Sequence, residues 1–163
     1  MSRASRSHEQ VSAELADEAL LRLRYPNALR KRVVRIVRRH MFQPGKGDER
    51  RARRFLRRNG EELAFDLLDH KHADLLGKRG TGGEPPPREE IERLAQFRAV
   101  VEQERSSAHR LRDLAVDGTD LIELGFKPGP QLGHILHDLL DAVVDEPELN
   151  TRDQLLARAR KQL

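Results

Sequence analysis

The chain has 163 residues, a formal net charge of +4, 37% apolar and 36% charged residues, and no cysteine. Without cysteine it holds neither disulfides nor thiolate metal sites. No run approaches the roughly 20 apolar residues of a membrane span, and the polar stretch Met1 to Gln10 lacks the apolar core of a secretory signal. The expectation is a cytoplasmic protein of one domain or two small ones that meets no membrane.

The charge is unevenly placed. From Arg22 to Arg58 there are fifteen Lys/Arg against two acids, Asp48 and Glu49, a local net of +13 that leaves −9 for the rest. Such asymmetry is the footprint of a polyanion partner. The plain alternative is a solvated helix face.

No sustained apolar/polar alternation marks a strand, whereas helical periodicity recurs throughout. The first helix is expected from Ser7 to Arg24, with Val11, Leu15, Ala19 and Leu23 on its apolar face and Leu20 beside them. Pro26-Asn27 ends it. The second runs from Ala28 to Met41, its core face Leu29, Val33, Ile36, Val37 and Met41 and the remainder basic. Asp48 is a good N-cap for a short basic helix, Glu49 to Arg58, which Asn59-Gly60 stops. Another helix, Glu61 to Gly77, offers Leu63, Leu67, Leu68, Leu75 and Leu76 to a core.

GKRGTGGEPPP, residues 77–87, reads as a linker. A long helix is expected beyond it, Arg88 to Leu114, with Ile91, Leu94, Phe97, Val101, Ala108 and Leu111 turned inward. In the tail, Asp117-Gly118 is a turn and Thr119 caps a short helix ending at Gly125. Pro130 opens a helix to Val144, Pro147 ends it, and Thr151 caps a last helix to Leu163. The fold class is therefore all-α: a multi-helix body and a C-terminal helical tail containing a helix-hairpin-helix-like turn. The domain reading is a basic helical domain over 1–78, a linker over 79–87, and a long helix plus tail over 88–163.

Asp120 to Leu140, DLIELGFKPGPQLGHILHDLL, carries the most chemistry. Gly125 suits a positive φ at a helix end. Gly129 allows close approach of the backbone to a ligand, and the next helix offers unpaired N–H groups and the positive end of its dipole to a phosphate, beside Lys127. The same pattern also serves a tight helix-to-helix turn that binds nothing.

The stretch DLAVDGTDLIELGFKPGPQLGHILHDLLDAVVDEPELNTRDQLL resembles the C-terminal segment of bacterial CCA-adding tRNA nucleotidyltransferases and the related poly(A) polymerases. The matching positions are Asp117-Gly118, Asp120-Leu121, Gly125, Pro128-Gly129-Pro130, Gly133, Leu136, Asn150 and Leu155-Leu156. Glu146-Pro147 stands where the family has a small residue near position 146. Upstream, HEQVSAELADEALLRLRYPN and VVRIVRRHMF resemble the later part of the adjoining HD domain.

The resemblance implies a portion that holds tRNA or another structured RNA for CCA addition. It implies no catalytic residue and no cofactor in this chain, because Mg²⁺ and CTP or ATP belong to a catalytic head whose carboxylate pair is absent here. The expected partner beside RNA is a separately encoded head. The candidate RNA-binding residues are Arg35, Arg38, Arg39, Arg51, Arg54, Arg58, Lys127 and Gly129. No functional metal centre is expected: His8, His40 and Asp74 are remnant positions of an HD site whose other ligands are missing. His70 and His72 point to different sides of a helix, His134 and His137 share a face, and Asp138 and Asp141 read as surface charge. The alternatives are a remnant of an HD-type metal-dependent phosphohydrolase, or a protein-interaction module without RNA.

Overall fold

The computed structural model of the chain describes residues 8–45, 47–77 and 88–163. Among these there are eight α-helices and no strand, so the protein is all-α. The helices are α1 (His8–Arg22), α2 (Asn27–Arg39), α3 (Glu49–Asn59), α4 (Glu61–Gly77), α5 (Arg88–Gln103), α6 (Gly118–Leu124), α7 (Pro130–Asp145) and α8 (Arg152–Arg160). The expected linker 79–87 lies outside the described residues, as does most of the N-terminal polar stretch.

The chain forms two compact units that interleave in sequence. The first comprises residues 1–46 and 61–98, the second 47–60 and 99–163. α3 thus belongs to the second unit, although α2 before it and α4 after it belong to the first.

In the first unit α1 packs on α2, and α2 on α4. The turn after α1 closes with paired bonds from Arg24 N to Leu21 O and from Tyr25 N to Leu20 O, both 3.0 Å. Arg24 takes φ 58°, the left-handed conformation that usually selects glycine at a helix end. Asp17 on α1 pairs with Arg30 on α2 at 2.7 Å. α4 supplies buried Leu63, Leu67, Leu68 and Leu75, and α5 supplies Leu94 and Phe97.

α1 departs from its periodicity. Its buried residue is Ala13, while Val11, Leu15 and, beyond the helix, Leu23 are exposed, Leu15 at 61%. Of the expected apolar face only Ala19 and Leu20 are half-buried. Leu29, Met41 and Leu76, expected in the core, are also exposed.

The second unit has its core in Val116, Leu121, Phe126, Ile135, Leu139, Val143, Leu155 and Ala159, drawn from α6, α7, α8 and the segments between them. α5 stops at Gln103, eleven residues short of the expected Leu114. Two 3₁₀ turns, Glu104–Ser106 and Leu111–Asp113, follow with extended backbone at Ser107 and Arg110. At the break the Ser107 hydroxyl donates to Glu104 Oε2 at 2.6 Å. Leu111 is consequently exposed, and His109 is buried in its stead.

Asp117, rather than Thr119, caps α6. Its carboxylate accepts from Thr119 N and Asp120 N, and Asp120 accepts from Asp117 N in return. Gly125 ends α6 at φ 118°, and Pro130 opens α7. Between them Gly129 has φ 156° with no atom within 4 Å of where a Cβ would stand, so backbone conformation, and not crowding, calls for glycine. Thr151 precedes α8 but makes no side-chain cap. Asn150 accepts from Ala115 N and donates to Asp113 O, both at 2.9 Å, pinning the segment before α6 to the segment before α8.

Candidate nucleic-acid interface

In the first unit the basic face is built on α2. Its apolar side chains Val33, Ile36 and Val37 are half-buried, and its helical period turns Arg35, Arg38 and Arg39 to solvent. Arg32, one turn before Arg35, is held differently. Its guanidinium forks onto Asp66 of α4, Nε to Oδ2 at 2.7 Å and Nη2 to Oδ1 at 2.5 Å. That hydrogen bond and the charge of Asp66 raise the Arg32 pKa above its ordinary value. Arg32 and Arg35, with Lys31, Leu29, Glu62 and Leu63, line an open groove between α2 and α4 of about 490 Å³.

In the second unit α3 carries arginines at nearly every turn, and most meet α7. Arg53 is buried. It donates from Nε to Val144 O at 2.7 Å and from Nη1 to Glu104 Oε2 at 3.2 Å, and its Nη2 lies 3.5 Å from Asp145 O. Arg54 grips Asp145 with both arms, Nε to Oδ1 and Nη2 to Oδ2, each 2.7 Å, and Arg50 adds a third bond to Oδ2 at 2.6 Å. These bonds hold the Asp145 carboxyl well below the usual carboxylate range, against the opposing effect of its partial burial. One turn along, Arg57 donates to Asp141 at 3.1 Å and to His137 Nδ1 at 2.7 Å.

Of the candidate RNA-binding residues on α3, Arg51, Arg54 and Arg58 are all exposed, and Arg54 is held by Asp145. Lys127 and Gly129 are exposed in the turn before α7. The sequence reading missed Arg50, Arg53 and Arg57 because their acceptors on other elements lie 51 to 95 positions away and, for Arg53, include main-chain carbonyls.

Of the remnant HD positions, His40 and Asp74 line one cleft in the first unit, with Lys71, Glu90 and Arg93. His8 is exposed at the start of α1. Among the described residues no group of three or more His, Asp or Glu is placed to hold a metal. His40 has its Nδ1 2.6 Å from Val37 O and lies edge-on to His70, ring centres 5.4 Å apart. His70 was not expected here. Burial, then the charges of His40 and Lys71, lower its pKa against the opposing pull of Asp74.

Residues 8–159 match the family model for tRNA nucleotidyltransferase domain 2, and the chain belongs to that family. It is 33% identical over 147 residues to the A-adding tRNA nucleotidyltransferase of Deinococcus radiodurans, covering 86% of this chain and 31% of that protein. It is 34% identical over 152 residues to the CC-adding tRNA nucleotidyltransferase of Thermus thermophilus, covering 92% of this chain and 32% of that protein. The chain thus spans about a third of the length of these curated relatives. No solved structure matches it.

Proposed function

We propose that this chain is the tRNA-binding portion of a CCA-adding nucleotidyltransferase and works in the cytoplasm with a catalytic head that it does not itself contain. The observation that carries the reading is the exposure of Arg35, Arg38 and Arg39 on a helix whose Val33, Ile36 and Val37 are half-buried. Their guanidiniums suit the phosphate backbone of a folded RNA, where shape and charge matter more than base identity. Mg²⁺ and the nucleotide triphosphate belong with the head. Among the described residues no helix is long and apolar enough to cross a membrane. The exposed α1 residues Val11, Leu15 and Leu21 support a protein partner as well, and the head is the partner we assign to them.

The test is tRNA binding across a salt series by the natural chain and by Arg35→Gln/Arg38→Gln/Arg39→Gln. Each phosphate neutralised contributes roughly −0.9 to the slope of log K against log salt on duplex nucleic acid, so the triple variant should bind more weakly with a slope shallower by about 2 to 3. Glutamine keeps helix propensity, and circular dichroism checks the fold. Unchanged affinity and slope in a folded variant would sink the RNA reading.

A further inference from the structure

We propose that Arg50 and Arg54 of α3 form a phosphate-binding fork, and that the Asp145 carboxylate occupies it until a phosphodiester takes its place. The class of ligand is an oxyanion with two equivalent oxygens. Taking RNA as its source rests on the function proposed above.

Geometry comes first. One carboxylate receives three hydrogen bonds of 2.6 to 2.7 Å from two guanidiniums, Arg54 binding through both Nε and Nη2. A phosphodiester presents its two non-bridging oxygens to such a fork in the same way. The arginines are also within reach: the Arg50 and Arg54 side chains are 53% and 57% exposed.

Asp145 is not explained by the stability of its own helix. It is the last residue of α7, where the dipole is negative and a carboxylate is disfavoured. Nor does the seating of α3 depend on it. Buried Ala52 and Leu56 and the bond from Arg53 to Val144 O seat α3, and none of these uses the Asp145 carboxylate. The outer clamp can therefore open while α3 stays in place. Both guanidiniums stay half-exposed to solvent, so a phosphodiester can reach them, and its binding also releases counterions.

The test compares the full chain with Asp145→Asn, with Arg50→Gln/Arg54→Gln, and with the triple combination, in tRNA binding over a salt series. Asp145→Asn should raise affinity by up to about fivefold, because the fork no longer has to be vacated. Arg50→Gln/Arg54→Gln should abolish that gain and, with one phosphate held by the fork, make the slope shallower by about 1. Melting curves confirm that each variant is folded. If Asp145→Asn proves unfolded, the arginine pair decides by its slope alone. A second arm titrates pyrophosphate into Asp145→Asn and follows the Arg50 and Arg54 Nε resonances by NMR. A response to pyrophosphate in a chain that binds no tRNA supports the site and removes the RNA reading. Equal tRNA affinities and slopes for the folded variants overturn the proposal, and so does an absence of both tRNA binding and any pyrophosphate response.

Discussion

Arg53 closes the C-terminal end of α7 from ninety-one positions away in sequence, its Nε donating to the Val144 carbonyl at 2.7 Å. The last carbonyls of a helix lack partners within it, and here a side chain of another helix serves one of them. The Arg53 side chain is only 8% exposed, and its partner Glu104 only 14%.

Arg53→Met should therefore leave a carbonyl and a carboxylate short of a donor in a buried place. The expected cost is about 3 kcal/mol. Arg50→Gln, a change at a half-exposed side chain, should cost clearly less. Urea unfolding of both variants checks the contrast, and equal losses would contradict it.

Asn150→Ala removes the acceptor for Ala115 N and the donor to Asp113 O together. One exposed and one partly buried main-chain group lose their partner, and a loss of about 1 to 2 kcal/mol should follow. Asn150→Asp restores the acceptor alone and should recover only part of it in the same unfolding experiment.

Arg24→Gly should stabilise the chain. The left-handed conformation at φ 58° costs a residue with a Cβ about 1 to 2 kcal/mol, and glycine gives back about 0.4 to 1 kcal/mol through the unfolded state. A net gain of about 0.5 to 1 kcal/mol is expected, visible as a raised urea midpoint with an unchanged slope.

His70 predicts a pH dependence of known sign. Its pKa in the folded chain is lowered from 6.5, so between the two values the unfolded chain binds more protons. Stability then falls as pH drops below about 6.5 and levels off once the folded-state pKa is passed. In His70→Gln this component of the fall should vanish, as thermal melts from pH 7.5 to 5 would show.

What was legible in the sequence was local. Asp48 capping α3, Gly125 ending α6 and Pro130 opening α7 each act within a turn of their own position, and the structure places them so. The apolar repeat of α1 was visible too, but periodicity identifies a face without saying what covers it. Val11 and Leu15 therefore looked like core and lie in solvent. The basic block from Arg22 to Arg58 read as a single charged segment. Nothing near Arg50, Arg54 or Arg57 in sequence announces Asp145 and Asp141, so these pairings required the fold. The end of α5 was hidden for a similar reason: Ser107 and buried His109 sit in a stretch whose composition continues the helix.

The interleaving of the two units sets an order of events during synthesis. Every residue assigned to the first unit has been made once Arg98 is complete. α3 is made before α4, yet its partners Asp141, Val144 and Asp145 emerge more than eighty residues later. Until then a strongly basic helix waits without its acids, beside a ribosome made largely of RNA. Contacts so distant in sequence form late and slow a domain's folding. The second unit should accordingly be the last part of a nascent chain to become resistant to protease, and chains halted between Arg98 and Asp145 should be cut first around α3.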